Sequence, residues 1–103
     1  MSLFGLFNRG SSESNIKKYL EKGAVVVDVR TIEEWKEGHI NGSKHIVLTI
    51  IPLKINEIKA LNKPIIAVCR SGGRAGQAVQ FLSKHSIDAI NGGAWQNVAK
   101  FVS

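Results

Sequence analysis

Two short runs of apolar, mostly β-branched residues stand out along this chain. Residues 24–29 read Ala-Val-Val-Val-Asp-Val, and residues 65–68 read Ile-Ile-Ala-Val. Continuous runs of this length are typical of strands that are covered on both faces, as in a parallel sheet. Weaker candidates lie at 45–48 and 87–90, so the pattern predicts four strands.

Segments with helical spacing of apolar residues separate these strands. Thr31 and Glu34 form a capping box, in which each side chain accepts a hydrogen bond from the other residue's backbone amide. A tight turn is predicted at Gly92-Gly93, before the last helix. The predicted helices begin at Ser12 or Ser14 and end at Gly23, run from Thr31 to Gly38, and cover 53–61, 75–84 and 94–101.

Strands that alternate with helices predict crossover connections and hence a parallel sheet. The expected fold class is therefore α/β, a small three-layer sandwich with a mainly parallel central sheet flanked by helices. A length of 103 residues allows one domain. Because residues 8–12 are polar and rich in glycine and serine, we expect a flexible lead-in over 1–12 and a folded domain over 13–103.

The composition narrows the choice of partners. With 44% hydrophobic and 21% charged residues the chain is globular in character, and its apolar runs are too short to span a bilayer, so no stable membrane association is expected. The net charge of +6 is scattered along the chain, which favours small anionic ligands over nucleic acid. A single cysteine forms no internal disulfide, so a cytoplasmic location is expected. A monomer is expected because no spare apolar face is evident.

The sharpest chemical signal is Cys69, which directly follows the 65–68 strand. Ligands of parallel sheets bind at the carboxyl ends of the strands, so Cys69 is predicted at a solvent-facing strand end in a binding site. The turn that follows, Arg70 to Arg74, holds two glycines that let successive backbone amides converge on an anion. A buried cysteine at a strand end is usually a packing residue. The arginines and the following helix N-terminus favour a thiolate instead, and therefore a nucleophile.

Three motifs follow one another along the chain: Asp28-Val29-Arg30 with Glu33-Glu34-Trp35 and Gly38-His39-Ile40-x-Gly42-Ser43; Cys69-x-x-Gly72-x-Arg74; and Asn91-Gly92-Gly93-Ala94-Trp95. Together they resemble the motifs of single-domain rhodaneses. The resemblance runs from about residue 14 to residue 101, nearly the whole chain. After Gly42 this chain has Ser43-Lys44-His45 where that family usually has alanine and then Asn-Ile-Pro.

The resemblance implies a sulfurtransferase. Cys69 takes a sulfane sulfur from thiosulfate or a persulfide donor and passes it, as a persulfide, to cyanide, a thiol or a protein acceptor. Neither a metal nor an organic cofactor is implied. Arg74 is expected to fold back and brace the loop. The residues expected to bind the donor are Arg70, Ser71, Gly72, Gly73 and Arg74, with Asp28 and Arg30 in support.

Several alternatives remain at this point. These alternatives are a sulfur carrier that serves a dedicated partner, a non-catalytic interaction module, and a thiolate phosphatase or arsenate reductase. Tyrosine phosphatases place one residue more between cysteine and arginine than the four that separate Cys69 from Arg74, which favours sulfur transfer. His39 and His45 are candidate metal ligands, but no cysteine or carboxylate completes a set at ligand spacing. Trp35 and Trp95 are expected to be core or pocket-wall aromatics.

Overall fold

The computed structural model describes residues 10–102. Its centre is a four-stranded sheet in which every neighbouring pair is parallel. The strand order is β2-β1-β3-β4. The strands are β1 (Val25–Asp28), β2 (Lys44–His45), β3 (Ile65–Cys69) and β4 (Ala89–Ala94). The predicted α/β class with a parallel central sheet is confirmed.

Helices connect the strands and cover both faces of the sheet. Ser12 begins the first helix by accepting a hydrogen bond from the Asn15 amide at 3.2 Å. The capping box of Thr31 and Glu34 is present at the start of the second helix, as predicted. The helices are α1 (Glu13–Glu21), α2 (Ile32–Glu37), a 3₁₀ helix (Leu48–Lys54), α3 (Ile55–Ala60), α4 (Gly73–Lys84) and α5 (Trp95–Ala99).

The side chains of β3 alternate between two hydrophobic cores, because successive residues of a strand point to opposite faces. Ile65, Ala67 and Cys69 face the core built with the 3₁₀ helix, α3 and α4. Ile66 and Val68 face the core built with α1 and α5. All five residues are at most 1% exposed, so β3 is the buried centre of the molecule.

The tight turn predicted at Gly92-Gly93 is wrong, since both glycines lie within β4. A Cβ atom on Gly92 would lie 2.8 Å from the methyl groups of Ile66 and Val98, so glycine is required for close packing rather than for a turn. A register shift opposite β3 brings Ala94 beside Cys69 and adds a residue to β4 at this point.

The second strand and the helix after it also differ from the prediction. β2 ends at His45, and the apolar residues that follow form the 3₁₀ helix instead of continuing the strand. Pro52 lies in this segment, and proline cannot donate the backbone hydrogen bond that a strand or α-helix interior needs. The α-helix predicted over 53–61 begins only at Ile55.

Most of the predicted lead-in, residues 1–12, lies outside the described residues. Its last part lies along β4, where the Ser11 amide donates to the Asn91 carbonyl at 2.6 Å. Within residues 10–102, no helix has both the length and the apolar character needed to cross a membrane.

Candidate active site

The Cys69 sulfur lies at the carboxyl end of β3 and is held by backbone amides. Its Sγ atom accepts hydrogen bonds from the amide of Gly72 at 3.0 Å and from that of Ala75 at 3.4 Å. Gly72 adopts φ +105°, a left-handed conformation that turns its N–H back toward the sulfur and is readily available only to glycine. Ala75 belongs to the first turn of α4, whose amides have no partner within the helix. The amides of a loop and a helix start thus converge on one sulfur atom.

The amides that reach the sulfur differ in part from those expected. Of the five loop residues predicted to surround it, Gly72 donates to Sγ, whereas the Ala75 donor was missed. Ala75 lies one residue beyond the motif, which ends at Arg74. The free amides of a helix start were the signal that points to Ala75.

The predicted solvent-facing position of Cys69 is wrong, because the residue is only 1% exposed. Its side chain points toward α4, where Ala75 and Ala78 are fully buried against it. The loop above the sulfur is open to solvent, since Arg70 and Ser71 are both exposed. Neither side chain has a hydrogen bond or ion pair within residues 10–102.

Arg74 joins the Cys69 loop to α2. Its guanidinium binds the Glu34 carboxylate through two contacts, of 2.7 and 3.0 Å. Glu34 also accepts the Thr31 amide at 3.0 Å as part of the capping box. Hydrogen bonds from Arg74, then from the Thr31 amide, lower the pKa of Glu34 to about 2, and the same carboxylate raises the pKa of Arg74.

Asp28 and Arg30 form a buried ion pair at the end of β1. The Arg30 Nη2 and Nε atoms lie 2.6 and 2.9 Å from Asp28 carboxylate oxygens, and the Arg30 amide adds a third donor. The remaining guanidinium hydrogens bind carbonyls of Glu34 and Gly38. Both side chains are at most 5% exposed. Within residues 10–102, the hydrogen bonds that the Asp28 carboxylate accepts all come from Arg30, so the supporting role of this pair at the site stays a prediction.

A groove of about 230 Å³ lies beside the Cys69 loop. Cys69 and Ala94 are register partners on β3 and β4, and the residues that follow them, Arg70 and Trp95, both line the groove. The Arg30 guanidinium lies 5.1 Å from the centre of the Trp95 ring. Trp95 is thus a pocket-wall aromatic. The lining side chains are Arg30, Glu34, Glu37, Arg70, Trp95 and Gln96.

The two candidate metal-ligand histidines are instead stacked on Trp35. The ring centres of His39 and His45 lie 3.6 and 4.7 Å from that of Trp35. Each imidazole also binds a backbone carbonyl, at 2.8 Å for His39 and 2.7 Å for His45. In the part of the chain that the structure describes, no three histidine, cysteine or carboxylate side chains are grouped as metal ligands.

A larger groove, of about 520 Å³, lies at the opposite edge of the sheet. Pro64 and Asp88, which line it, directly precede β3 and β4 and therefore mark the amino ends of those strands. It holds no cysteine. Of the two grooves, the smaller one borders the Cys69 loop, through Arg70.

Comparison with known proteins points to one family. The rhodanese-like domain family matches residues 12–99. A sulfurtransferase of Allochromatium vinosum is 30% identical over 86 residues, which cover 82% of this chain and 79% of that protein. A putative sulfur carrier protein of Bacillus subtilis is 34% identical over 65 residues, which cover 63% of this chain and 35% of that protein.

A solved structure agrees with these sequence matches. The crystal structure of a rhodanese-like domain protein from Staphylococcus aureus has a TM-score of 0.70 to this chain at 31% identity, covering 84% of this chain and 86% of that one. The matched regions make up only 52% and 35% of two Bacillus subtilis relatives, which are longer proteins.

Proposed function

This chain belongs to the rhodanese-like domain family, and on that premise we propose that it is a sulfurtransferase that carries sulfane sulfur as a persulfide on Cys69. One observation carries the proposal. The sulfur of the cysteine at the end of the central strand accepts two backbone amide hydrogen bonds, beside an exposed Arg70 that has no ion pair among the described residues. Such an arrangement stabilises negative charge on sulfur without neutralising it with a bound side chain.

The first half-reaction loads the cysteine. The Cys69 thiolate attacks the outer sulfur of thiosulfate, a bond forms between the two sulfur atoms, and the S–S bond of thiosulfate breaks. Sulfite leaves with the bonding electron pair, and the negative charge of the thiolate moves to the outer sulfur of the persulfide. No oxidant or reductant is needed. The amides of Gly72 and Ala75 would stabilise this charge, because they already donate to Sγ before reaction begins.

The second half-reaction returns the cysteine to its starting state. A nucleophilic acceptor, either cyanide or a thiolate, attacks the outer sulfur of the persulfide, and Cys69 leaves as thiolate. Since the donor departs before the acceptor reacts, ping-pong kinetics are expected. Both substrates would approach from the side of Arg70 and Ser71, where the loop is exposed. A cation that is not engaged elsewhere attracts an anionic donor to this side.

The proposal is tested by the mass of the intact protein after incubation with thiosulfate and removal of the excess. A gain of one sulfur atom, about 32 Da, is expected for a covalent intermediate, with loss of that mass on treatment with cyanide. Cys69→Ser should show no gain, because the hydroxyl is a far weaker nucleophile. If neither thiosulfate nor a low-molecular-weight persulfide adds mass to the unaltered protein, the proposal is overturned.

A sulfur carrier is the second candidate, favoured by the similarity to the putative carrier of Bacillus subtilis. A carrier holds the same Cys69 persulfide but receives it from a dedicated partner and reacts poorly with thiosulfate. Loading by an organic persulfide at a rate far above that with thiosulfate would favour the carrier. Comparable loading by both donors would favour the independent enzyme.

A further inference from the structure

The groove beside Cys69 contains two opposite charges that have no partner in the described part of the chain. Arg70 and Glu37 both line it, and neither forms an ion pair or a side-chain hydrogen bond there. The other charged side chains of the groove are engaged, since Arg30 binds Asp28 and Glu34 binds Arg74. The free charges of the groove are therefore one cation next to the reactive sulfur and one anion on α2.

The groove is also lined by one aromatic ring. The Trp95 ring lines the groove beside the backbone of Gly38, where a Cβ atom would lie 3.4 Å from the ring. Gln96 adds an amide that both donates and accepts hydrogen bonds. A volume of about 230 Å³ admits a molecule of amino-acid size and is small for a drug-sized ligand.

We infer that this groove selects a small organic sulfur substrate that carries both a carboxylate and an ammonium group, that is, an α-amino acid thiol or its persulfide. The carboxylate binds Arg70, the ammonium binds Glu37, and the carbon chain lies against Trp95. The inference rests on the proposed persulfide chemistry of Cys69 and specifies its acceptor. Thiosulfate and cyanide bear no ammonium group, so Glu37 has no role with either of them.

The transfer step balances without a further reagent. The acceptor thiolate forms a bond to the outer sulfur of the Cys69 persulfide, and the bond between that sulfur and Sγ breaks. The electron pair leaves with Sγ as thiolate, and the acceptor departs as a persulfide anion. The Gly72 and Ala75 amides receive the returning charge on Sγ.

The test isolates the second half-reaction. Protein loaded with thiosulfate and freed of donor is mixed with one acceptor, and the loss of the sulfur mass is followed in a single turnover. Four acceptors separate the two charges: cysteine carries both, cysteamine only the ammonium, 3-mercaptopropionate only the carboxylate, and 2-mercaptoethanol neither. Each variant is compared with the unaltered protein for the same acceptor, which removes differences in intrinsic thiol reactivity.

Glu37→Gln is the decisive variant, because it removes one exposed charge and keeps the shape. We expect it to lower the rate constant about two- to fivefold for cysteine and cysteamine, the size of an exposed ion pair, and to leave the other two acceptors unchanged. Glu33→Gln is the matched control, since Glu33 is exposed on the same helix but does not line the groove. It should change none of the four rates.

Two outcomes would overturn the inference, and they are distinguishable. If Glu37→Gln leaves all four rates unchanged or lowers all four equally, while Cys69 still loads with sulfur, the substrate assignment fails and the sulfurtransferase proposal stands. If Cys69 never loads from any donor, both fail together. Retained loading by thiosulfate in Glu37→Gln is expected in the first half-reaction.

Discussion

The neighbouring strands β1 and β3 end in similar surroundings but with different chemistry. Each ends in a polar side chain that is 1% exposed, Asp28 on β1 and Cys69 on β3. The Asp28 carboxylate binds the guanidinium of Arg30, two residues later. Within residues 10–102, the Cys69 sulfur accepts hydrogen bonds from backbone amides only. At the end of β1, a side chain of opposite charge binds the carboxylate. At the end of β3, the sulfur has no such charged partner within residues 10–102.

This difference supports the proposal that the β3 end, and not the β1 end, takes part in the reaction. A carboxylate that is bound by a buried guanidinium is neutralised, and separating the pair leaves an uncompensated charge. Backbone amides carry no net charge, so they stabilise a negative charge on sulfur and remain in place when that charge moves to the next atom. The β1 end therefore stabilises the fold, and the β3 end is available for chemistry.

Breaking the ion pair between Asp28 and Arg30 at the end of β1 should have the largest effect on stability. Arg30→Met keeps most of the side-chain volume but leaves the Asp28 carboxylate buried without its partner, so we expect unfolding to cost about 3–5 kcal/mol less. Urea unfolding measures this loss. Lys36→Met is the control, since Lys36 is exposed on α2 and should change stability by less than about 0.5 kcal/mol. Equal losses in both variants would contradict the assigned role of the pair.

Adding a side-chain atom between β4 and β3 should have the next largest effect on stability. Gly92→Ala places a Cβ atom 2.8 Å from methyl groups of Ile66 and Val98, and overpacking of this kind costs about 1–3 kcal/mol. Gly73→Ala is the matched control, because no atom lies within 4 Å of its Cβ position. Thermal unfolding of the two variants should separate them. A stabilised Gly92→Ala protein would disprove the close packing of β4 on β3.

Removing the ion pair between Arg74 of the Cys69 loop and Glu34 of α2 should have a smaller effect on stability, and this effect should depend on pH. Glu34→Gln keeps the capping box, which accepts glutamine, but removes the charge that binds Arg74. Because both side chains are partly exposed, at 22% and 32%, the expected loss near neutral pH is about 1 kcal/mol.

The sign of the pH dependence follows from the pKa of Glu34, which is lowered from 4.5 to about 2 in the folded protein. Its contribution to stability is complete above about pH 4.5 and is lost as the pH falls through about 2. The difference in unfolding free energy between Glu34→Gln and the unaltered protein should therefore shrink over this interval. A difference that stays constant down to pH 2 would rule out the ion pair as its source.

Replacing Cys69 at the end of β3 should have the smallest effect on stability. In Cys69→Ser the hydroxyl oxygen accepts the same two amides, so we expect a change of no more than about 1 kcal/mol. Sulfur loading should nevertheless be lost completely. Should the serine variant be as unstable as Arg30→Met, Cys69 would be a packing residue and the comparison between the two strand ends would fail.

The sequence alone was enough to predict the local features of this protein. The apolar runs located β1 and β3, the capping box of Thr31 and Glu34 located α2, and the end of the second run placed Cys69 at a strand end. These features depend on residues within a few positions of one another, so the chain shows them without a fold.

Only the tertiary structure decided which groups meet around the sulfur. Arg74 binds Glu34, 40 residues away, and Gly92 must be glycine because Ile66 and Val98 leave no room for a side chain. The burial of Cys69 follows from α4 packing over β3. Such contacts join residues that are distant in sequence and depend on how whole layers pack together, so local spacing did not predict them.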